Sequence, residues 1–168
     1  EIKKQIRIPL VADIHFDYRL AIECAKGGVD KIRINPGNIG SPDRVRIVAD
    51  ECGSRNIPIR IGVNGGSLEK ELLEKFGSPT PEALCESALG HINLLEKCGF
   101  YDIALSIKSS NIQTMYSAYE KIADIMPYKH RLHCFKDKYY KLIPNRPSRT
   151  ITAHLRMDCH SHIHPSQI

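Results

Sequence analysis

The chain has 168 residues, a formal net charge of +5 and six cysteines, with 42% hydrophobic and 26% charged residues. These values are typical of a globular domain, and no apolar run approaches the roughly 18 residues that a membrane-spanning helix needs, so we expect no membrane partner. The cysteines lie at least 13 residues apart, which excludes a compact disulfide framework and favours reduced thiols in the cytoplasm.

Strand-like and helix-like segments alternate four times in the first 128 residues. The predicted strands cover residues 8–15, 31–35, 58–64 and 102–108. The intervening helices have recognisable starts at Asp17, at Ser41-Pro42 and at Thr80-Pro81, where a polar N-cap residue is followed by a helix former or by proline. Repeated β–α units indicate parallel strands joined by crossover helices. The sequence therefore predicts an α/β fold with about four parallel βα units.

The predicted strands have one aliphatic face and one face that becomes polar toward the carboxyl ends. The aliphatic set consists of Leu10, Ala12 and Ile14 on the first strand and Ile32, Ile34, Ile59, Ile61, Val63, Ile103, Leu105 and Ile107 on the other three. An open doubly wound sheet is covered by helices on both faces, and both of its faces should be apolar. A closed barrel instead meets its helices with one face and presents polar strand ends at its mouth. We therefore predict part of a TIM (β/α)8 barrel in residues 1–128, followed by an irregular tail.

Seven polar side chains should converge at the carboxyl ends of the predicted strands. They are Asp13, His15, Arg33, Asn35, Arg60, Asn64 and Lys108. Three inward-facing cations are costly without an anion, and arginine and lysine are suited to phosphate oxygens, so this pattern favours a phosphate or diphosphate ligand. The glycine-containing loops at residues 35–38 and 64–67 could add backbone N–H donors. The alternative is that Arg33 and Arg60 pair with carboxylates inside the barrel.

Asp13 and His15 are two residues apart on one strand, so they lie on the same face. We interpret His15 as a hydrogen-bond donor to a substrate, with any role in proton transfer left open, and we assign no catalytic residue. The alternative is a histidine whose partner lies on a neighbouring strand.

Several motifs in unbroken order carry a resemblance to a known family. They are PLVADIHFDYR at 9–19, KIRINPGNIG at 31–40, IPIRIGVN at 57–64, GSLEK at 66–70, EKFGSPTPEAL at 74–84 and SIKSS at 106–110. Over about residues 6–128 the chain resembles the 4-hydroxy-3-methylbut-2-en-1-yl diphosphate synthase family. The seven polar residues selected above match the positions that line the substrate site in that family.

The resemblance implies an oxidoreductase of the non-mevalonate (methylerythritol phosphate) isoprenoid pathway. The family opens 2-C-methyl-D-erythritol 2,4-cyclodiphosphate reductively to 4-hydroxy-3-methylbut-2-enyl diphosphate. Its barrel domain binds the substrate, its C-terminal domain holds a [4Fe-4S] cluster, and it acts as a homodimer with flavodoxin or ferredoxin as electron donor. None of the six cysteines here matches the cluster ligands. We therefore expect an internal fragment of the N-terminal barrel domain that binds no cluster and no other metal, and that is inactive alone.

The composition changes after residue 128. Residues 129–168 contain eight Lys or Arg, two Asp, six of the eight histidines and no glycine. A metal site at Cys159, His160, His162 and His164 and a nucleic-acid-binding arm are both conceivable. The loss of glycine and of apolar periodicity favours instead an out-of-frame or disordered tail, with no nucleic acid as partner.

Three functional interpretations follow from these observations. The chain is part of the reductase, or a phosphate-binding half-barrel without redox activity, or a non-functional truncated product whose unpaired strand edges favour aggregation.

Overall fold

The computed structural model describes residues 2–125, in which strands and helices alternate. The strands are β1 (Val11–Ile14), β2 (Lys31–Ile34), β3 (Ile59–Asn64) and β4 (Ile103–Lys108). The helices are α1 (Ile2–Gln5), α2 (Tyr18–Lys26), α3 (Pro36–Ile39), α4 (Pro42–Ser54), α5 (Lys70–Phe76), α6 (Pro81–Lys97) and α7 (Ile112–Ile125), and a 3-10 turn covers Gly65–Ser67. Within this range no helix has the length and apolar character needed to cross a bilayer. The predicted tail at 129–168 lies outside the described residues.

The four strands form one parallel sheet in the order β1-β2-β3-β4. Sequential order with every pair parallel is the arrangement of consecutive βα units in a barrel wall, and the sheet here is open rather than closed. The predicted α/β class and the four parallel βα units are confirmed.

The core lies between the aliphatic face of the sheet and the helices. On β2, β3 and β4 seven of the eight residues predicted on that face are at most 5% exposed, and Leu105 is half-buried against the core. On the first predicted strand Ile14 is buried, whereas Leu10 and Ala12 are partly buried and pack against the core. The helices contribute the apolar stripes of α4 (Val45, Val48, Ala49, Cys52) and α6 (Leu84, Ala88, Ile92, Leu95). The period of two in the strands therefore separates a hydrophobic side from a polar side, as predicted.

Side-chain caps set two of the predicted helix starts. Asp17 accepts a hydrogen bond from the backbone N–H of Arg19 at 2.9 Å, and the Thr80 hydroxyl accepts one from Ala83 at 3.2 Å. Ser41 makes no such bond, and α4 begins instead with Pro42, whose fixed φ suits the first helical position. Each cap places the start of a helix next to the carboxyl end of the preceding strand.

The first strand is shorter than predicted. Residues 8–10 lie outside β1, because β2 supplies pairing partners only for the four residues from Val11 to Ile14. The N–H of Leu10 donates to the carboxylate of Asp30 at 2.6 Å instead of joining the sheet. Pro9, which has no N–H to donate, marks the same boundary.

Truncation of an aliphatic strand residue should destabilise the fold. Ile61 is completely buried between the sheet and the helices, so Ile61→Ala is expected to lower the free energy of unfolding by about 3 kcal/mol. The matched control is Ile112→Ala, because Ile112 is 70% exposed at the start of α7, and a change below about 0.5 kcal/mol is expected there. Urea denaturation measures both variants. Equal losses for the two would contradict the described packing.

Candidate functional site

The strand register places the predicted polar residues on one side of the sheet. Asp13 pairs in register with Arg33, and Arg33 pairs with Arg60, so these three residues form one row across β1, β2 and β3. Asn64 and Lys108 form a second pair at the ends of β3 and β4. His15 and Asn35 come directly after β1 and β2. Asp13, Arg33, Arg60, Asn64 and Lys108 therefore lie on one face of the sheet, but the row that contains Arg60 is four residues before the Asn64–Lys108 pair along β3.

Arg33 is held by an ion pair with Asp13. The Arg33 Nη1 atom lies 2.8 Å from the Asp13 Oδ1 atom, and the Nη2 atom donates to the Gly62 carbonyl at 3.4 Å. The two side chains are only 17% and 29% exposed. A Cβ atom on Gly62 would overlap the guanidinium group, so the glycine is what lets Arg33 lie flat across β3.

Arg60 has no carboxylate partner among residues 2–125. Within residues 2–125 no ion pair or hydrogen bond to its guanidinium group occurs, and its Nε atom is buried. Arg33, a second cation, is its neighbour on β2. An unpaired buried donor and two adjacent like charges both cost free energy, which a bound anion would offset. The alternative that both arginines pair with carboxylates therefore holds for Arg33 and not, among the described residues, for Arg60.

Asn35 and Asn64 use the same local device at the ends of neighbouring strands. The Oδ1 atom of Asn35 accepts from the Gly37 N–H, and that of Asn64 accepts from the Gly66 N–H, each at 3.1 Å. These bonds turn the chain into α3 and into the 3-10 turn. The 35–38 loop, predicted as a loop, is thus a short helix. The Oδ1 atoms can only accept, and the Nδ2 group is the part of each amide that can donate to a ligand.

His15 and Lys108 are the more exposed members of the set. The Nδ1 atom of His15 lies 3.7 Å from Asp13 Oδ1, which is too long for a hydrogen bond, and the side chain is 56% exposed. Lys108 is exposed at the end of β4 and has no ion-pair partner among the described residues. Both side chains are therefore available to a ligand.

A second polar cluster, which the sequence did not reveal, lies behind this end of the sheet. Glu69 precedes α5, whereas Ser87 and His91 are buried on α6. The Ser87 hydroxyl donates to Glu69 Oε1 at 3.1 Å, and His91 Nε2 lies 2.8 Å from the same oxygen. The sequence contained one signal of this cluster. His91 comes seven residues after Leu84, so it lies on the otherwise apolar stripe of the helix, where a polar side chain needs a buried partner.

The contacts of Glu69 alter its acidity. Partial burial acts to raise the pKa of Glu69, but the contacts with His91, a backbone N–H and Ser87 outweigh that effect. The pKa of Glu69 therefore lies below its ordinary value. Glu69 is thus a carboxylate that accepts a hydrogen bond from Ser87 and lies against His91.

The cysteines between residues 2 and 125 do not suit an iron–sulfur cluster. Cys24, Cys52, Cys85 and Cys98 are separate, and no group of three potential metal ligands occurs within this range. Burial raises the pKa of the Cys52 thiol to about 12, which disfavours the thiolate form that a cluster requires. Any cluster ligands must come from elsewhere.

Comparison with known proteins agrees with this architecture. The profile of the GcpE TIM-barrel domain matches residues 1–134. The chain belongs to the GcpE TIM-barrel domain family. This match confirms the predicted partial TIM barrel and the resemblance stated above.

Curated relatives of this GcpE-type chain carry the name 4-hydroxy-3-methylbut-2-en-1-yl diphosphate synthase (flavodoxin). The protein from Fusobacterium nucleatum is 59% identical over 128 residues, which is 76% of this chain and 36% of the relative. Those from Ruminiclostridium cellulolyticum and Clostridium perfringens are each 60% identical, over 74% and 71% of this chain and 35% and 34% of the relative. The chain thus spans about a third of the length of these relatives.

Addition of one methyl group at Gly62 should displace Arg33. We expect Gly62→Ala to retain the fold, because the overlapping atoms belong to the flexible end of a side chain, and to shift the Arg33 side-chain N–H resonances in an NMR spectrum. The matched control is Gly90→Ala, where a Cβ atom meets nothing within 4 Å. Because Gly90 lies within α6, that change should stabilise the protein by about 0.5–1 kcal/mol and leave Arg33 unaffected. Unchanged Arg33 resonances in Gly62→Ala would contradict the described contact.

Proposed function

We propose that this chain is the substrate-binding part of a 4-hydroxy-3-methylbut-2-enyl diphosphate synthase and binds the diphosphate of 2-C-methyl-D-erythritol 2,4-cyclodiphosphate. The observation that carries this proposal is the unpaired Arg60, which lies beside Arg33 on the polar face of the sheet. A dianionic or more highly charged ligand would neutralise this cationic surface, and the matched relatives bear the name of an enzyme with a diphosphate product.

The seven residues would have different roles in this binding. Arg60 and Lys108 supply charge that no carboxylate within the described range neutralises. Arg33 supplies a guanidinium group oriented by Asp13. Asn35 and Asn64 supply amide N–H donors at the ends of β2 and β3. His15 would donate a hydrogen bond to the substrate, and no catalytic residue is assigned.

The reduction itself requires groups outside residues 2–125. In this proposal a [4Fe-4S] cluster would supply two electrons, and it would be held by cysteines of the family's C-terminal domain, which none of the six cysteines of this chain matches. The electron donor is flavodoxin, which the names of the relatives mention, or ferredoxin. We further propose a homodimeric assembly, a cytoplasmic location, and a division of the chain into a barrel part at 1–128 and an out-of-frame or disordered tail at 129–168.

A phosphate-binding half-barrel without redox activity is the second candidate. It is favoured by the cysteines within residues 2–125, which are dispersed and in part buried. Both candidates depend on the same anion site.

Loss of an unpaired cation should weaken anion binding. For Arg60→Ala we expect the affinity for inorganic diphosphate to fall by about 10-fold to 100-fold, which corresponds to loss of a charge-assisted hydrogen bond of about 1.5–3 kcal/mol. Titration calorimetry on the 168-residue chain measures this change. The matched control is Arg46→Ala, since Arg46 is exposed on α4 and belongs to no strand, and the affinity of this variant should remain that of the wild type. If Arg60→Ala binds normally and only melts earlier, Arg60 has a structural role and the anion site is wrong.

A further inference from the structure

Three separate segments of the chain meet at the carboxylate of Glu69, namely the residues before α5, the helix α6 and the turn at Gly37. Its Oε1 atom accepts from Ser87 on α6 at 3.1 Å and lies 2.8 Å from His91 Nε2 on the same helix. The third segment is the turn at Gly37: a Cβ atom there would lie 3.2 Å from Glu69 Oε1 and 3.4 Å from His91 Cε1. The turn after β2 is therefore packed closely against Glu69 and His91.

The absence of a side chain at Gly37 permits this close approach. The same hypothetical Cβ atom would lie 3.4 Å from Asn35 Oδ1, the atom that accepts from the Gly37 N–H. Asn35 is only 5% exposed. The Asn35 amide is therefore bonded to the Gly37 turn, and that turn packs against the Glu69–His91 pair.

The same carboxylate is linked to the second asparagine through a short stretch of chain. Glu69 follows Asn64 by five residues, across the Gly65–Ser67 turn and the buried Leu68. Its backbone carbonyl accepts from Leu72 and Leu73 and so anchors the start of α5. Any movement of Glu69 would be transmitted to the turn that Asn64 caps.

Stability alone does not explain this cluster. The Oε2 atom of Glu69 is buried without a hydrogen-bond partner among the described residues. The Nε2 atom of His91 is also buried and lies 2.8 Å from Glu69 Oε1 without a well-formed hydrogen bond among the described residues. Incompletely satisfied polar groups in a core cost free energy, and apolar residues of similar size would be more stabilising there.

We propose that Glu69 and His91 are positioning residues that hold the Asn35 turn and the Asn64 turn in one fixed relation. In that relation both asparagine amides donate to the same diphosphate ligand. This inference rests on the proposed function, because it supposes that Asn35 and Asn64 bind the ligand. Supporting groups of this kind are what keeps a binding site within the small tolerance that productive geometry requires.

Substitution of Glu69 tests this proposal with inorganic diphosphate as the probe and the whole 168-residue chain as the protein. We expect Glu69→Ala to weaken binding by about tenfold, the scale of coupling within one contact network. Glu69→Gln should restore most of the affinity, since its amide oxygen can still accept from Ser87. The backbone amide resonances of Gly37 and Gly66 should both shift in Glu69→Ala and return toward the wild-type positions in Glu69→Gln.

The matched control is Ile92→Val. Ile92 is buried on α6 next to His91 and is not among the residues nearest to Gly37, so this change loosens only the core packing beside the cluster. It should lower the melting temperature and leave the affinity of the folded protein unchanged. If Glu69→Ala does the same, Glu69 is only a structural residue and the proposal is overturned. If the wild-type chain does not bind diphosphate at all, the proposed function itself is wrong. This result differs from the one that overturns the role of Glu69, in which the wild-type chain binds and Glu69→Ala binds equally well.

Discussion

The in-register pairing of four parallel strands determines where each polar side chain of this molecule lies. Because side chains alternate along a strand, the register that buries Ile32, Ile59 and Ile103 against the helices also places Arg33 and Arg60 side by side on the opposite face. A slip of one residue would bury the cations and expose the aliphatic residues. The hydrophobic core therefore fixes the cationic surface, and the proposed anion site would be a consequence of the same pairing that folds the domain.

The two arginines on this face differ in their partners among the described residues. Arg33 has a carboxylate partner and lies across a glycine, so its orientation is set before any ligand arrives. Arg60 lacks such a partner within residues 2–125. The preorganised cation and the unpaired one together suit a ligand with several anionic oxygens, such as a diphosphate. Asn35 and Asn64 extend the same surface with amide donors, which turns built on glycine hold in place.

Much of this arrangement could be predicted from the sequence, since strand parity alone selects the aliphatic and polar faces. Strand parity does not say how far a side chain reaches. The structure was therefore needed to show that Asp13 pairs with Arg33 and that Arg60 has no such partner within residues 2–125. The short helix α3 was missed because a single asparagine cap stabilises it, with no apolar periodicity to reveal it. The Glu69–His91 contact was missed because it joins a loop to a helix 22 residues away in sequence, and no local pattern reports such a pairing.

The most direct test of the account is to map where inorganic diphosphate binds by NMR titration of the isotopically labelled chain. The account predicts saturable shifts of the side-chain resonances of Arg33, Arg60, Asn35 and Asn64, together with the backbone amides of Gly37 and Gly66. Arg46 and Arg55, which are exposed on and just after α4, should not shift. Shifts of similar size at all exposed arginines, without saturation, would show only nonspecific attraction to a basic protein and would contradict the assignment of the polar sheet face as the binding site.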